Sequence, residues 1–578
     1  MRKIVAIAIL AIWSEYAFSE GSKNLTPSNT GTATGTNTFV GYLEHDVNAG
    51  GIDTRNFFDP QAPVDERVYV YIKNGETLYW GLGRLNFAAF GATNEDLTVA
   101  LFEFGDTPGT DTPVSTWLLS ADGGTDDNSI FVDGPGVIHS YAEAAAGPSI
   151  LVAGGYDANS YTNNTGIDQD FFIVFLQNNA GPNAGYTNDI DERSQYNYWD
   201  FSVYNGSEEK TGRLHGKKLS FSADGGANLL STEFQLFSLI PSTVGGVNAG
   251  YYVKELDLSG IAPYSLSIYS NSTGADAAQA NTTDFTELRQ SQGTEIALIE
   301  YDLFINNPDL EVYPTSTLPT VTITDANFNC NPLGTGGEAA ITFESNQTGQ
   351  IAVIVDLNGI NGYQNGTEDV IIEAEVAAEG YSVVKWDGLN GLGATVASGT
   401  PITITGRFTS GPLHVPLYDV EDNTAGIRML DVRPATSFDL IFWDDSNVTT
   451  NQTPTIELDG SNTNNHNWTG TDSDLHNTWS FGYYQVNTQS VNFDYVCDDD
   501  GDGVSGTSDG DSDNDGLTDV QEGDWDFDSD GDGILDYVDT DFAGFVDSNA
   551  DGVNDNFDFD QDGIPNALDL DSDNDGIT

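Results

Sequence analysis

DSDGDGILDYVD, from Asp528 to Asp539, is the clearest copy of a pattern that recurs to the end of the chain and decides how that region folds. Carboxylates stand at its first, third, fifth, ninth and twelfth positions (Asp528, Asp530, Asp532, Asp536, Asp539), glycine at the sixth and an aliphatic residue at the seventh. Asp511–Glu522 repeats it through Asp511, Asp513, Asp515, Asp519 and Glu522. Asp547–Asp558 carries Asp547, Asn549, Asp551, Asp555 and Asp558, and Asp558–Asp569 carries Asp558, Asp560, Asp562, Asn566 and Asp569. Asp498–Asp509 supplies Asp498, Asp500, Asp502 and Asp509 but has Gly506 in ninth place. A sixth copy opens with Asp571, Asp573 and Asp575 and is cut off at Thr578.

Carboxylates on alternate residues of a tightly curled loop can all turn onto one hard cation, and calcium takes roughly six to eight oxygens at about 2.3–2.6 Å. The sixth-position glycines, such as Gly533 and Gly563, permit the positive φ of a sharp turn. From Asp498 onward there are 27 Asp, one Glu and no Lys or Arg. Without cations such a segment repels itself and stays extended; with them, metal binding is most of its folding energy. An acidic solubilising tail needs charge alone, not a glycine at the same place in every unit. EF-hands need flanking helices, for which 547–578 has no room.

The pattern resembles thrombospondin type 3 repeats, D-x-D-x-D-G-x-x-D-x-x-D. The resemblance implies successive calcium loops wrapped around a core made mostly of metal, forming a stiff spacer. The family's cysteines are absent within these repeats and the glycine spacing is irregular, so the sites are expected to differ in affinity.

Residues 1–19 read as a secretory signal: Met1-Arg2-Lys3 is basic, Ile4–Trp13 is apolar but short for a bilayer, and Ala17-Phe18-Ser19 is a small-x-small cleavage site. The mature chain is then expected to start near Glu20, outside the cytoplasm, most simply on a bacterial cell surface. Net charge is −72, from 90 acids against 18 bases. That excludes nucleic acid, which needs a basic footprint, and disfavours anionic membranes; no other stretch approaches transmembrane length. The two cysteines, Cys330 and Cys497, default to one disulfide in an exported protein. Two unpaired buried thiols are the alternative.

Residues 20–38 are Ser, Thr, Gly and Asn with little to bury and read as a flexible leader. From Phe39 to about Val496 short alternating strands are broken by Gly, Asn, Asp and Pro clusters: 68–72, 97–102, 171–176, 352–355 and 401–405 are examples. Asp369–Ala378 is the one plausible helix. This predicts an all-β chain of tandem sandwiches, jelly-roll or immunoglobulin-like, followed by a largely irregular calcium-loaded stalk. Composition shifts place β-domains at 39–192, 193–318 and 319–497, the last bracketed by the cysteines, with the repeats at 498–578.

Within 319–497, Val384-Lys-Trp-Asp-Gly-Leu-Asn-Gly-Leu-Gly-Ala-Thr-Val-Ala-Ser-Gly-Thr400 resembles the W-D-G segment of immunoglobulin-like modules in bacterial flagellar-hook-capping and cell-surface proteins. Trp386 would then lie in the core, with the glycines shaping a hairpin. Together with the repeats, this resembles very large surface proteins of marine and gliding bacteria. Just before it, oxygen donors at Asp356, Asn358, Glu368 and Asp369 form either another calcium site or Asx-rich turns.

No catalytic motif emerges: the six histidines show no metal-ligand spacing, and there is no H-E-x-x-H, G-x-S-x-G or phosphate loop. Aromatic clusters at Tyr79-Trp80, Tyr198-Trp199 and Phe481–Tyr484 are core rings or a sugar-stacking platform. The expectation is therefore a non-enzymatic, calcium-dependent structural or adhesive protein, engaging an extracellular surface, a glycan or copies of itself. A subunit of an extracellular filament or layer, and a secreted polysaccharide-active or carbohydrate-binding protein with a repeat linker, are the alternatives. A stop at Thr578 would leave the last loop short of ligands, so a longer polypeptide is expected.

Overall fold

The computed structural model describes residues 20–27, 41, 43–46, 57–84, 96–121, 131–177, 193–221, 230–242, 250–262, 266–275, 297–330, 336–346, 349–360, 363–364, 366–376, 380–418, 426–434, 443–444, 456–457, 475–496, 510, 518, 529, 534–540, 542–569, 571 and 574. Among these the chain is mostly β, arranged in several antiparallel sheets, with α-helix confined to Ser22–Leu25 and Tyr141–Ala146. Helix Tyr141–Ala146 exists because its ends are satisfied: Ser140 Oγ accepts from Glu143 N–H, and Gly147 leaves it at φ 86°. Asp369–Ala378, read as helical, is instead a strand, Val370–Val376, paired along Gly349–Asp356. Val370, Ile371 and Ile372 favour that outcome, because β-branched side chains suit a pleated, half-buried surface.

Contacts group the chain into two units, Met1–Thr317 with Gly411–Gly482, and Leu318–Ser410 with Tyr483–Thr578. The first contains a nine-stranded sheet in the order Arg428–Arg433, Tyr251–Asp257, Gln235–Pro241, Asp302–Phe304, Leu214–Gly216, Tyr69–Ile72, Gln169–Gln177, Leu97–Glu103 and Ser115–Leu119. Leu97–Phe102 is buried throughout, which is why it reads as a continuous apolar run instead of an alternating one. A second sheet runs Glu208–Lys210, Tyr198–Asn205, Thr77–Gly83, Asn159–Thr162, and a third Lys218–Phe221, Leu266–Tyr269, Leu417–Tyr418, Leu475–His476. The division read at 192/193 is thus crossed by pairing, Thr77–Gly83 lying along Tyr198–Asn205. Segment 411–482 likewise contributes strands to sheets of the first unit.

Aromatic rings fill this unit. Phe58 stacks on Phe175 at 4.4 Å and Trp80 meets Trp117 edge-on at 5.2 Å. Trp80, Tyr198, Trp199 and Phe481 are all buried, so these four rings pack the interior, while Tyr79 beside Trp80 is half-buried. Glu20, Ser22, Leu25 and Thr26 are buried too, so the leader reading of 20–38 does not extend to its first residues.

In the second unit Val321–Cys330, Gly337–Ser345 and Gly380–Trp386 form one antiparallel sheet. Gly349–Asp356 pairs with Val370–Val376 on one side and Thr400–His414 on the other. One core joins these elements, including Ile341, Phe343, Val353, Ile404, Trp386 and Phe493. The ring of Trp386 lies 4.7 Å from that of Phe493, and its Nε1 donates to Leu389 O at 2.8 Å. Gly388 explains the W-D-G spacing: its φ is 77°, and a Cβ there would lie 1.8 Å from Gly337 O.

Cys330 ends its strand opposite Gly337 and does not carry a free thiol. Cys497 lies outside the described residues, but Tyr495, two residues earlier, packs directly on Gly337. No described helix is long and apolar enough to cross a membrane. Trp386→Ala is expected to cost about 3–5 kcal/mol, the usual range for deleting a buried large aromatic. Denaturant unfolding followed by tryptophan fluorescence measures it; a loss below about 1 kcal/mol would contradict the central role of this ring in the core.

Candidate metal centre

Two consecutive acidic loops, 547–558 and 558–569, are described almost throughout. Asp498, Asp500, Asp502, Asp509, Asp511, Asp513, Asp515, Asp519, Glu522, Asp528, Asp530, Asp532, Asp573 and Asp575 lie outside the described residues, as does Cys497.

The loops curl in the same way. Asp547 Oδ1 accepts from Ala550 N–H (2.6 Å) and Oδ2 from Gly552 N–H (3.1 Å); Asp558 accepts from Asp562 N–H (3.2 Å) and Gly563 N–H (3.0 Å). Fifth-position carboxylates cap the next turn, Asp551 over Val553 N–H and Asp562 over Ile564 N–H. Gly552 and Gly563 take φ of 95° and 93°, the positive values expected of the sixth position. The fourth position is also left-handed. Ala550, Gln561 and Asn574, with φ of 64°, 62° and 56°, are the non-glycine residues of positive φ among those described. A left-handed conformation costs roughly 1–2 kcal/mol for most L-residues, so the alternating turns are imposed by what the carboxylates gather around.

They gather around one another. Ligand oxygens of Asp558, Asp560 and Asp562 lie within 4.8 Å of one another. Burial, and then the charges of Asp562, Asp560 and Asp571, hold the Asp569 carboxyl above its usual range; burial, and then Asp551, do the same to Asp558. Asp560 Oδ2 is buried without a hydrogen-bond partner. Several anionic oxygens, one of them orphaned, converging without a basic side chain make a fit for a hard metal ion. Asp558, Asp560 and Asp562 would hold it.

Asp558 serves both loops, and further links join them. Asn549 Nδ2 donates to Gln561 O at 2.8 Å, and Asp551 lies 3.7 Å from where a Cβ on Gly563 would stand. A small core lies beside them, with Tyr537 and Val553 buried against Leu535, Val538, Phe557 and Leu568. The ninth residue, read as a ligand, also has a backbone partner. Asp536 accepts from Ser529 N–H (2.7 Å), Asp555 from Ser548 N–H (3.2 Å) and Asn566 from Phe559 N–H (2.7 Å), each clipping the second residue of its own loop. Asn can stand there because an amide oxygen accepts that bond as well as a carboxylate does.

Asp356, Asn358 and Asp369 are also brought together, as a self-satisfied turn. Asp369 Oδ1 accepts from Leu357 and Asn358 N–H, and Oδ2 from Asn358 Nδ2 and Gln364 N–H. Asp356 accepts from Gly359 N–H, while Glu368 is exposed. Amide donors meet the needs of this turn, which is the Asx-rich arrangement.

One constellation had no signal in the sequence. His215 lies between two carboxylates, Nε2 at 3.0 Å from Asp170 and Nδ1 at 3.2 Å from Asp302, with its ring stacked on Tyr69 and Phe304. The three residues come from three strands far apart in the chain, so no spacing rule reveals them. No protein-family model matches the chain, and no curated protein is significantly similar to it.

Burial works against charge on His215, but Asp302 and Asp170 outweigh it and raise the imidazole to about 10. The folded state therefore keeps a proton that the unfolded chain, at 6.5, releases. The stability this adds is complete below pH 6.5 and is lost as the pH rises towards 10. His215→Gln is expected to lower the melting temperature at pH 6, with the gap to wild type closing by pH 10. A gap constant across that range would show that packing, not protonation, holds this residue.

Proposed function

We propose that this is an exported, calcium-binding structural or adhesive protein of the cell surface, whose β units are carried on a calcium-stiffened stalk of repeats resembling the thrombospondin type 3 class. The observation that carries the reading is the convergence of Asp558, Asp560 and Asp562 in a loop whose neighbour repeats its turns and shares Asp558. Calcium suits the donors better than magnesium or zinc: they are all oxygen, they come from one short loop, and no imidazole or thiolate is among them. When bound, the ion would neutralise the repulsion that the carboxylates impose on one another. The chain's own residues supply the rest: amide clips at positions one, five and nine preset the curl.

Several features support a supporting role over catalysis. Trp80, Tyr198, Trp199 and Phe481 are spent on interior packing. The second unit's core around Trp386 fits the immunoglobulin-like resemblance, and the multi-sheet first unit fits a sandwich-type body. The partner would be an extracellular surface, a glycan or a second copy of the chain.

Calcium binding to the full chain, measured by equilibrium dialysis, is expected to saturate at several ions, and a strong chelator is expected to lower the melting temperature of the repeat region. A transition of residues 498–578 indifferent to chelator would sink the reading. Asp558→Asn, which removes charge from two loops at once, is expected to reduce the stoichiometry by up to two ions and not simply one. A Cys330–Cys497 bond predicts no titratable thiol in the unfolded chain before reduction and two afterwards; its loss would destabilise by up to about 5 kcal/mol on the chain-entropy account.

A further inference from the structure

Glu20 sits in the interior of the first unit with its backbone fixed on both sides. Its carbonyl accepts from Phe201 N–H at 2.9 Å, and Gly21 bridges Asp200 so closely that a Cβ would lie 2.2 Å from Trp199 O. Its side chain is tethered as well. The carboxylate accepts from the backbone N–H groups of Gly212 (2.6 Å), Arg213 (3.1 Å) and Leu214 (3.0 Å) and from Asn306 Nδ2 (3.3 Å). These anchors aim the Glu20 nitrogen at Ser202 Oγ, 3.0 Å away.

Ser202 passes its own proton on, donating to Asp200 Oδ1, while Tyr156 donates to Asp200 Oδ2 at 2.7 Å. Asp200 is fully buried, and both of these contacts are neutral hydroxyls. Glu209 adds a further negative charge, and the ammonium of Lys23 that acts on Asp200 also acts on Glu209 and Glu233. The guanidinium of Arg213 is engaged elsewhere, by Glu76 and Asp309. Among the described residues, two buried carboxylates therefore flank the Glu20 nitrogen with little positive charge beside them. Burial raises Glu20 to about 8 and Asp200 to about 7, a state that a nearby cation would reverse.

We propose that hydrolysis of the Ser19–Glu20 peptide bond is a maturation step of the fold: it frees an α-ammonium on Glu20 that docks on Ser202 and Asp200 as the internal counter-ion of this cluster. Hydrolysis adds one water across the bond. The water oxygen ends on the new carboxylate of Ser19, and the Glu20 nitrogen, taking up protons, becomes –NH3+. A peptide N–H offers Ser202 one neutral donor; the ammonium offers three donors and a full charge at the same point. The cut itself rests on the export reading above, since a leader peptidase would make it. A chain cut one residue earlier or later would place the charge a residue away from Ser202.

The test compares two chains that run to Thr578 without residues 1–19, one beginning at Glu20 and one with Gly-Ser ahead of it. The Glu20-first chain is expected to melt several degrees higher. Its amine should acylate about tenfold more slowly when folded than in urea, the change that one unit of added pKa gives. Asp200→Asn should abolish both effects, and Ser202→Ala serves the same purpose if that variant does not fold. Equal melting temperatures and an amine that reacts at its unfolded rate would overturn the docking. N-terminal sequencing of the protein from its own cells separates the two claims. A terminus other than Glu20 overturns the maturation step whatever the docking, whereas Glu20 with a freely reactive amine overturns the docking and leaves export standing.

Discussion

Repulsion between carboxylates is the constraint that the rest of this molecule answers. With 90 acids against 18 bases, each acidic group brought near another needs an amide, a base or a cation. Several bases are drawn inside. Arg67, Arg84, Arg213, Lys218, Lys254 and Arg433 are all buried, lying over aromatic rings as Arg84 does over Phe131 at 4.1 Å, or between acids as Arg213 does. What is left outside is predominantly acidic, with Lys385 and part of Arg428 among the exposed bases, and such an excess keeps copies of the chain apart unless divalent ions screen or bridge them.

Backbone amides meet much of the remaining demand. Asp369 is held by amides alone within its turn, Glu20 by three N–H groups in succession, and Asp547 and Asp558 by the turns they cap. The acidic loops go furthest, because after the amides are used an orphaned oxygen on Asp560 and neighbouring charges remain. The difference between the Asp369 turn and the Asp558 loop is therefore countable donors, not acidity: one is closed and the other is open to an ion.

Local pattern was legible where local physics decides it. The runs at 97–102 and 171–176 lie within Leu97–Glu103 and Gln169–Gln177, and 352–355 within Gly349–Asp356. Gly552 and Gly563, the sixth-position glycines among the described residues, have the φ their spacing implied. What escaped was everything joined across the chain. The left-handed fourth position carries Ala, Gln and Asn, and neither it nor the backbone clip made by the ninth position was read from the spacing. His215 meets Asp170 and Asp302 only because four strands, Asp302–Phe304, Leu214–Gly216, Tyr69–Ile72 and Gln169–Gln177, lie side by side. The strand at 370–376 was obscured by Glu373, Ala374 and Glu375, which are good helix formers by intrinsic propensity.

The interleaving of the two units has a consequence for how the chain is made. Strand Tyr251–Asp257 waits for Arg428–Arg433, and Leu266–Tyr269 waits for Leu417–Tyr418, which in turn pairs with Leu475–His476. A chain threading outward from its N-terminus must therefore hold open sheet edges while more than a hundred further residues emerge. Order of synthesis and order of assembly differ, and the interval between them is when this protein is most exposed to pairing with the wrong strand.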